Sequence, residues 1–450
     1  MSFKHLKGNK FQYYLLLVIF ILIMLRQLER IHYYVLYAED GALFLSRSLT
    51  YGFNAVLMPY AGYFQVAPQL ISLISYHFTL MYYPIVTLFI CSLIYASAIS
   101  QLISTSYSWI NASPVVRFFL ALSLTFIPGT PEILGNLANL HTVLFIFVTF
   151  RMIASFDEKY SVLDYILFIL TAFSAGEFFL ILPILLYRIF VIYTFKFKFE
   201  NMIRHLLILF ILIISMIVNY LTTLQSGVMG HKGLVDSIVL LYGYLPQLLL
   251  TISNRVFYLP ILGNLTISFN RYFVTAIATG VVMICLTGFI SIRNKMHDDR
   301  YFILLIIALI SQILEIILIA CVRSNAVHTP YIGQLINLNT LSVRYLIFMI
   351  PIALIFWQMF ISKLLKKINL SSKRVNSILI CISLYVIAIN SGRMHFSNFY
   401  GLPHERLQEK YLWPYNARLI YNMIHDGKPE TLIVPIAPPG WVLTISHPLK

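Results

Sequence analysis

Two adjacent carboxylates, Glu39 and Asp40, stand out in a chain of 450 residues that is 59% hydrophobic and only 11% charged. Gly41 follows them directly, and the pair lies shortly after the first apolar run. A carboxylate within hydrogen-bond reach can take the proton from a hydroxyl group as that hydroxyl attacks another centre. Neighbouring carboxylates also raise each other's proton affinity, which suits a base that works near neutral pH. A catalytic acid at Glu39 or Asp40 is therefore one explanation of this pair.

A purely structural role for Asp40 is the alternative. The stretch "GALFLSRSL" after it has the pattern of a short helix, and an aspartate just before a helix commonly accepts backbone N–H bonds from its first turn. Capping explains one acid and leaves the second unexplained. The same loop is crowded with aromatic residues, among them Tyr60, Tyr63 and Phe64, although aromatic side chains also gather at membrane interfaces in general.

The elements that must position these residues are membrane helices. The mean hydropathy is +0.82, and soluble domains carry about a quarter charged residues. A spanning helix needs about 20 mostly apolar residues, and runs of this kind recur along the chain. Because the runs are continuous and do not alternate with polar residues, they predict helices, not the strands of a barrel. The predicted fold is an all-α polytopic membrane protein.

Eleven spans are predicted, at 11–29, 83–104, 115–128, 134–151, 162–175, 177–194, 203–221, 272–292, 301–320, 342–362 and 375–391. The stretches 62–80 and 237–252 are apolar but carry proline, glutamine or tyrosine in their interiors. They are predicted to be interfacial or re-entrant helices.

Basic residues orient the predicted bundle. With the N-terminus in the cytoplasm, Lys and Arg concentrate on the short connections of one side, as the positive-inside rule requires. The net charge of +15 is thus explained by membrane orientation and does not indicate nucleic-acid binding. Residues 1–391 form the predicted membrane domain, whose long outer loops are 30–82, 222–271 and 321–341. Residues 392–450 form a small segment on the outer side, so the C-terminus is expected outside.

Metal and disulfide chemistry are not indicated. The four cysteines lie in or beside apolar runs without the spacing of a zinc site, at Cys91, Cys285, Cys321 and Cys381. No Asp-x-Asp pair and no histidine–carboxylate set with clear ligand spacing is present. We expect no cofactor and no metal.

Other polar residues lie at the outer ends of predicted spans. "PEILGNLANLH" carries Glu132, Asn136, Asn139 and His141; the two asparagines, three residues apart, would share a helix face. Hydrogen bonding between helices and sugar binding both explain this cluster. An acid at the depth of Glu177 is usually functional or paired, so Glu177 is the second candidate for a catalytic or acceptor-binding acid.

The C-terminal segment contains "TLIVPIAPPGWVLTI", which predicts two strands joined by a turn. With fewer than 60 residues (392–450) it can cover the membrane domain but hardly forms a core of its own. Trp441 could stack on a sugar ring, and packing within this segment is the simpler explanation.

The runs "YAEDGALF…PYAGYFQVAPQL" and "IVPIAPPGW", together with an acidic first outer loop on a chain of about eleven spans, resemble the GT-C class of membrane glycosyltransferases. More specifically, they are similar to the bacterial serotype-converting glucosyltransferases that act on O antigen. The resemblance covers the layout of most of the chain but only these short motifs in residues.

This resemblance implies transfer of a hexose, with glucose as the leading candidate, from undecaprenyl phosphate to a hydroxyl of a lipid-linked surface polysaccharide, on the periplasmic side of the bacterial inner membrane. It further implies that Asp40 is the base that takes the proton of the acceptor hydroxyl, and that Glu39 orients the acceptor or replaces Asp40. Cations should then meet the leaving phosphate; the candidates are Arg344, Arg323 and His328, and more weakly Lys232, His231, Arg255 and Arg271. The candidates for binding the acceptor sugar are Glu177, Tyr60, Tyr63, Asn139 and His141.

Two other functions remain open at this point. An O-antigen polymerase is also polytopic and would use a pyrophosphate-linked oligosaccharide. A flippase or transporter for lipid-linked sugars should concentrate ionisable groups in mid-membrane along a path. In this sequence such groups cluster at one predicted face, which favours an enzyme.

Overall fold

A computed structural model describes residues 3–33, 35–60, 62–127, 133–226, 253, 258, 273–326, 349–391, 413–426, 431–436 and 441–445. The described chain is predominantly helical, and its strands are two short ones near the C-terminus.

The described residues of the N-terminal half form ten α-helices, which are α1 (Phe3–Arg26), α2 (Leu28–Tyr33), α3 (Ser46–Tyr51), α4 (Val66–Phe78), α5 (Tyr83–Ser100), α6 (Pro114–Thr125), α7 (Leu140–Ile153), α8 (Val162–Ala172), α9 (Leu182–Thr194) and α10 (Phe199–Ser226). A π-helix (Asp40–Leu45) precedes α3, and 3₁₀ turns include Gly52–Leu57, Gln101–Ile103 and Gly176–Ile181.

The described remainder contains α11 (Phe273–Arg293), α12 (Arg300–Ala326), α13 (Met349–Lys367), α14 (Ser372–Asn390) and α15 (Trp413–Asp426), followed by β1 (Leu432–Ile436) and β2 (Trp441–Ile445). The two strands pair antiparallel, with Leu432 opposite Ile445 and Ile436 opposite Trp441. The predicted strand–turn–strand motif is therefore confirmed.

Local signals fix several helix starts. Proline occupies the first turn of α5, α6 and α9, where its missing N–H removes no helical bond. Helix α8 begins with a capping box in which Ser161 and Asp164 each accept the other's backbone N–H. These signals are local, so the helices follow directly from the sequence.

The helices pack into a bundle around one extensive apolar core. Helix α1 packs on α5, α5 on α7, α6 on α14, α9 on both α10 and α12, and α13 on α12 and α14. Within the part of the chain that the structure describes, four helical stretches are long and apolar enough to cross a bilayer, namely Tyr83–Ile103, Gly176–Thr194, Phe199–Leu224 and Ser372–Asn390, and six shorter apolar helices accompany them. This architecture is consistent with an all-α membrane protein, while the number of eleven spans remains a prediction.

The predicted span at 134–151 begins later than expected. Helix α7 starts at Leu140, and the residues before it form turns around Gly135, whose φ is +79°. Asn136 and Asn139 consequently lie in these turns and do not share a helix face, although the Asn139 Nδ2–H group donates to Asn136 Oδ1 at 3.1 Å. The stretch 62–80 contains α4 as expected, whereas 237–252 lies outside the described residues.

Candidate active site

Asp40 opens the π-helix and is fully buried. Its Oδ2 lies 3.2 Å from Nη2 of Arg30, and the two side chains are 0% and 1% exposed. Its Oδ1 accepts the backbone N–H groups of Leu137 at 2.9 Å and Ala138 at 3.1 Å. Both carboxylate oxygens are therefore engaged, and the carboxylate joins the first loop to a segment almost one hundred residues further along the chain.

The prediction that Asp40 caps the helix directly after it is wrong. No side-chain hydrogen bond caps the π-helix that Asp40 begins. The carboxylate instead accepts N–H groups from the turn before α7, where amides that precede a helix lack partners within that helix. An expectation drawn from neighbouring residues could not identify this distant turn.

The turn that meets Asp40 depends on Gly135. A Cβ atom at this position would stand 2.0 Å from Leu88 Cδ1 and 3.5 Å from Nη1 of Arg30. The φ of +79° is also in the left-handed region that side chains disfavour. Glycine therefore allows the amides of 137 and 138 to approach the carboxylate while Arg30 occupies its other side.

Burial raises the pKa of Asp40 from its ordinary value of 3.8 to about 7. The Arg30 guanidinium and the two amide donors oppose this shift, and the neighbouring charge of Glu39 adds to it. Asp40 thus ionises near neutral pH, as the adjacent acids suggested. Its lack of exposure, however, keeps both oxygens away from solvent in this arrangement.

Glu39 differs sharply from its neighbour. Its side chain is half-buried, and within the described residues its carboxylate has no hydrogen-bond or ion-pair partner. The two acids of the motif therefore have separate environments. Asp40 is locked into the protein, whereas Glu39 retains a free acceptor face at the surface of the same turn.

A buried polar network is hydrogen-bonded to the backbone of Asp40. The Tyr83 hydroxyl donates to the backbone oxygen of Asp40 at 3.3 Å and lies 2.8 Å from Ser72 Oγ. Ser72 Oγ is in turn 2.8 Å from Ser48 Oγ, which accepts a hydrogen bond from Gln69 at 2.7 Å. This network connects the π-helix, α3, α4 and α5 in a buried setting, where satisfied polar groups favour one arrangement.

A second group of predicted residues lies around His141, near the start of α7. His141 Nε2 is 3.4 Å from Oε1 of Glu177, with side chains 11% and 18% exposed. The Tyr63 ring stands edge-on to the His141 imidazole at 6.4 Å between centroids, and a Cβ atom on Gly176 would contact that ring at 3.7 Å. His141, Glu177 and Tyr63 therefore converge from three segments that are far apart in sequence.

The first loop carries Tyr60 into this group. Tyr60 and Tyr63 exchange backbone hydrogen bonds of 2.8 and 3.2 Å. Arg47 donates to the backbone oxygens of Met58 and Pro59, at 3.0 and 3.1 Å, which holds the start of the loop against α3. The structure thus connects the acid pair, the asparagine turn and the His141–Glu177 pair through residues 137 to 141.

Arg30 and Tyr83 are the important residues that the sequence analysis missed. Arg30 could have been noticed, because it is a cation ten residues before Asp40 in a chain with few charges. Tyr83 offered no signal, because it begins α5 and only the packing brings it below Asp40.

The predicted phosphate-binding cations are not tested. Arg344 and His328 lie outside the described residues, as do Glu132, Lys232, His231, Arg255 and Arg271. Arg323 lies within α12, near its C-terminal end. Within the described ranges, no group of three or more His, Cys, Asp or Glu side chains is placed to hold a metal ion, and metal independence stays a prediction.

In comparisons with protein-family models, with curated proteins and with solved structures, the chain finds no match.

Proposed function

We propose that this chain is a membrane glycosyltransferase that moves a hexose from undecaprenyl phosphate to a hydroxyl of a bacterial surface polysaccharide. Glucose is the leading candidate for this hexose. The observation that carries the proposal is the division between the two acids. One carboxylate is fixed inside the protein, and the other is accessible on the same rigid turn. A pre-positioned carboxylate with a free acceptor face suits the removal of a hydroxyl proton.

The geometry favours Glu39 over Asp40 for this step. Both oxygens of Asp40 already accept hydrogen bonds, and a base must come within about 3 Å of the proton that it removes. Glu39 would take the proton of the acceptor hydroxyl while that oxygen forms a bond to the anomeric carbon. The bond from this carbon to the phosphate oxygen breaks, and the lipid phosphate leaves with the electron pair. Asp40 then acts as a positioning residue.

The His141–Glu177 pair and Tyr63 supply the groups that a sugar requires. A carboxylate and an imidazole accept and donate hydrogen bonds to hydroxyls, and an aromatic ring packs on the apolar face of a pyranose. His141 Nδ1 is buried and, within the described part of the chain, has no hydrogen-bond partner. Tyr60 and Asn139 complete the proposed acceptor site.

The sidedness is part of the proposal. The acid pair would face the periplasm, with the N-terminus in the cytoplasm, since the donor sugar on its lipid is used at the outer leaflet. The phosphate of the donor would meet Arg344, Arg323 or His328 in this arrangement.

The test measures transfer of radiolabelled glucose from undecaprenyl phosphate to lipopolysaccharide by membranes that contain the full-length protein. Glu39→Gln should lower kcat about 100-fold or more, the range that general bases contribute. Glu200→Gln is the matched control, since Glu200 is an exposed carboxylate of α10 whose ion pair is with Arg204 in its own helix. It should transfer glucose like the wild type.

Two results would contradict the proposal. If the wild-type protein transfers no sugar from any polyprenyl-phosphate donor, the activity is wrong. If Glu39→Gln transfers at the wild-type rate, the base is wrong, and Asp40→Asn then decides whether the buried acid performs the step. Chain extension in place of side-branch addition would favour the polymerase.

A further inference from the structure

The C-terminal hairpin lies against the turn that carries the two acids. A Cβ atom on Gly41 would stand 2.7 Å from Ile436 Cδ1, so the last residue of β1 contacts the backbone immediately after Asp40. The hydroxyl of Ser46, which follows the π-helix, donates to the backbone oxygen of Thr444 in β2 at 2.6 Å. The hairpin therefore touches the π-helix at its beginning and just beyond its end.

Helix α15 contacts Tyr83, the residue that hydrogen-bonds the backbone of Asp40. The Trp413 ring is buried, and its Nε1–H donates to the backbone oxygen of Leu80 at 2.7 Å. The ring also packs on Tyr83, at 6.3 Å between centroids. Since the Tyr83 hydroxyl donates to the backbone oxygen of Asp40, Trp413 supports the residue that supports the acid pair.

These contacts come from one connected unit. Asn416 of α15 donates to the backbone oxygen of Pro435 in β1 at 3.0 Å, and the inner residues of the hairpin, such as Val434 and Leu443, are buried. A movement of the hairpin is therefore coupled to α15; the hairpin contacts the acid-bearing turn directly, and α15 contacts Tyr83.

The turn itself has an unusual backbone conformation. It is a π-helix of six residues, a rare conformation that frequently occurs at functional sites. Ala38, directly before Glu39, has a φ of +36°, which is disfavoured for a residue with a side chain and persists where the surroundings impose it. Glu39 has no hydrogen-bond or ion-pair partner in the described chain, so the backbone of the turn sets the point from which its side chain extends.

We propose that α15 and the β1–β2 hairpin (residues 413–426, 432–436 and 441–445) are a positioning element of the active site, which holds the π-helix so that Glu39 meets the acceptor hydroxyl. This inference rests on the proposed glycosyl transfer. The segment touches neither Glu39 nor the His141–Glu177 pair in the contacts described, so it acts through the turn. Its loss should lower kcat more than it raises KM, because a displaced base leaves sugar binding intact while misplacement by about 1 Å reduces the rate up to 100-fold.

The test compares two isoleucines of the same strand in the full-length protein. Ile436 is 1% exposed and contacts the acid-bearing turn, whereas Ile433 is 62% exposed. Ile436→Ala should lower kcat about 10-fold or more, with the KM values for donor and acceptor within about two-fold of wild type. Ile433→Ala should change neither constant, and Ile436→Val, which keeps most of the contact, should restore most of the rate.

A second variant covers the case in which Ile436→Ala does not fold. Ser46→Ala deletes one hydroxyl at the end of the π-helix without disturbing the core, and it should also lower kcat with KM maintained. Size-exclusion chromatography of the solubilised protein reports the folded fraction, to which kcat is normalised. Equal kcat values for the Ile436→Ala, Ser46→Ala and wild-type proteins would overturn the inference. A wild-type protein without activity would instead refute the proposed function.

Discussion

Replacing Arg30 with methionine should destabilise the protein by an amount that grows with pH above about 7. Asp40 has a folded-state pKa of about 7 with Arg30 in place, against an ordinary value of 3.8. Loss of the guanidinium raises the folded-state pKa further. Above pH 7 the wild-type carboxyl has released its proton, whereas the folded variant retains it and the unfolded chain of either protein holds none. Raising the pH therefore favours unfolding of the variant relative to wild type.

The magnitude follows from the pair's geometry. At the observed separation of 3.2 Å, the attraction is about 5 kcal/mol for an effective dielectric constant of about 20, or roughly four pKa units. The variant's carboxyl thus keeps its proton well beyond pH 9. Each pH unit above 7 then changes the free energy of unfolding by about 1.4 kcal/mol, or about 2.7 kcal/mol at pH 9. Other interactions of Arg30 that do not titrate add an offset that is the same at every pH.

The assay is unfolding of the detergent-solubilised protein at pH 6.5 and pH 9, with wild type measured beside each variant. The difference between wild type and Arg30→Met should be small at pH 6.5 apart from the constant offset, and larger at pH 9. In an Asp40→Asn background, which removes the titrating group, the effect of Arg30→Met should no longer depend on pH. An equal effect at both pH values, or a dependence that survives in the Asn background, would refute the assignment of Asp40 as the partner that titrates.

Two further tests address the turn before α7 and the proposed acceptor site. Gly135→Ala should destabilise the protein by about 2 kcal/mol or more, because the new Cβ meets Leu88 at 2.0 Å at a φ of +79°. Gly288→Ala in α11, where a Cβ meets nothing within 4 Å, should be neutral or stabilising by up to about 1 kcal/mol; thermal unfolding of the two variants decides, and equal stabilities would contradict this explanation. His141→Gln and Glu177→Gln should each raise the KM for the polysaccharide acceptor about 10-fold with a smaller change in kcat. Each change removes a hydrogen bond to an acceptor hydroxyl, and a loss of about 1.4 kcal/mol of binding free energy corresponds to a tenfold loss of affinity. The double variant should be no worse than the poorer single one, because the two side chains act as a pair; additive losses in steady-state kinetics would show that they act separately.

The sequence by itself determined the helical, membrane-type architecture and the hairpin. The length of an apolar run, a proline in a first turn and the Ser161–Asp164 box are local properties, and each predicts its helix without knowledge of its neighbours. The strand–turn–strand motif near the C-terminus is local in the same sense. Residue type and position also singled out the acid pair, since its two carboxylates come shortly after the first apolar run of a chain with few charged residues.

Only the tertiary structure decided what each acid can do. Glu39 and Asp40 are both carboxylates at adjacent positions, yet their surroundings differ. Glu39 is partly exposed, whereas Asp40 is enclosed by Arg30 and the amides of 137 and 138. Helix α7 begins at Leu140, later than the predicted start at 134, for the same reason. The amide of Leu137 donates to a carboxylate that lies 97 residues earlier in the chain. Accessibility and charge pairing depend on segments distant in the chain, and a local pattern carries no information about which distant segment arrives.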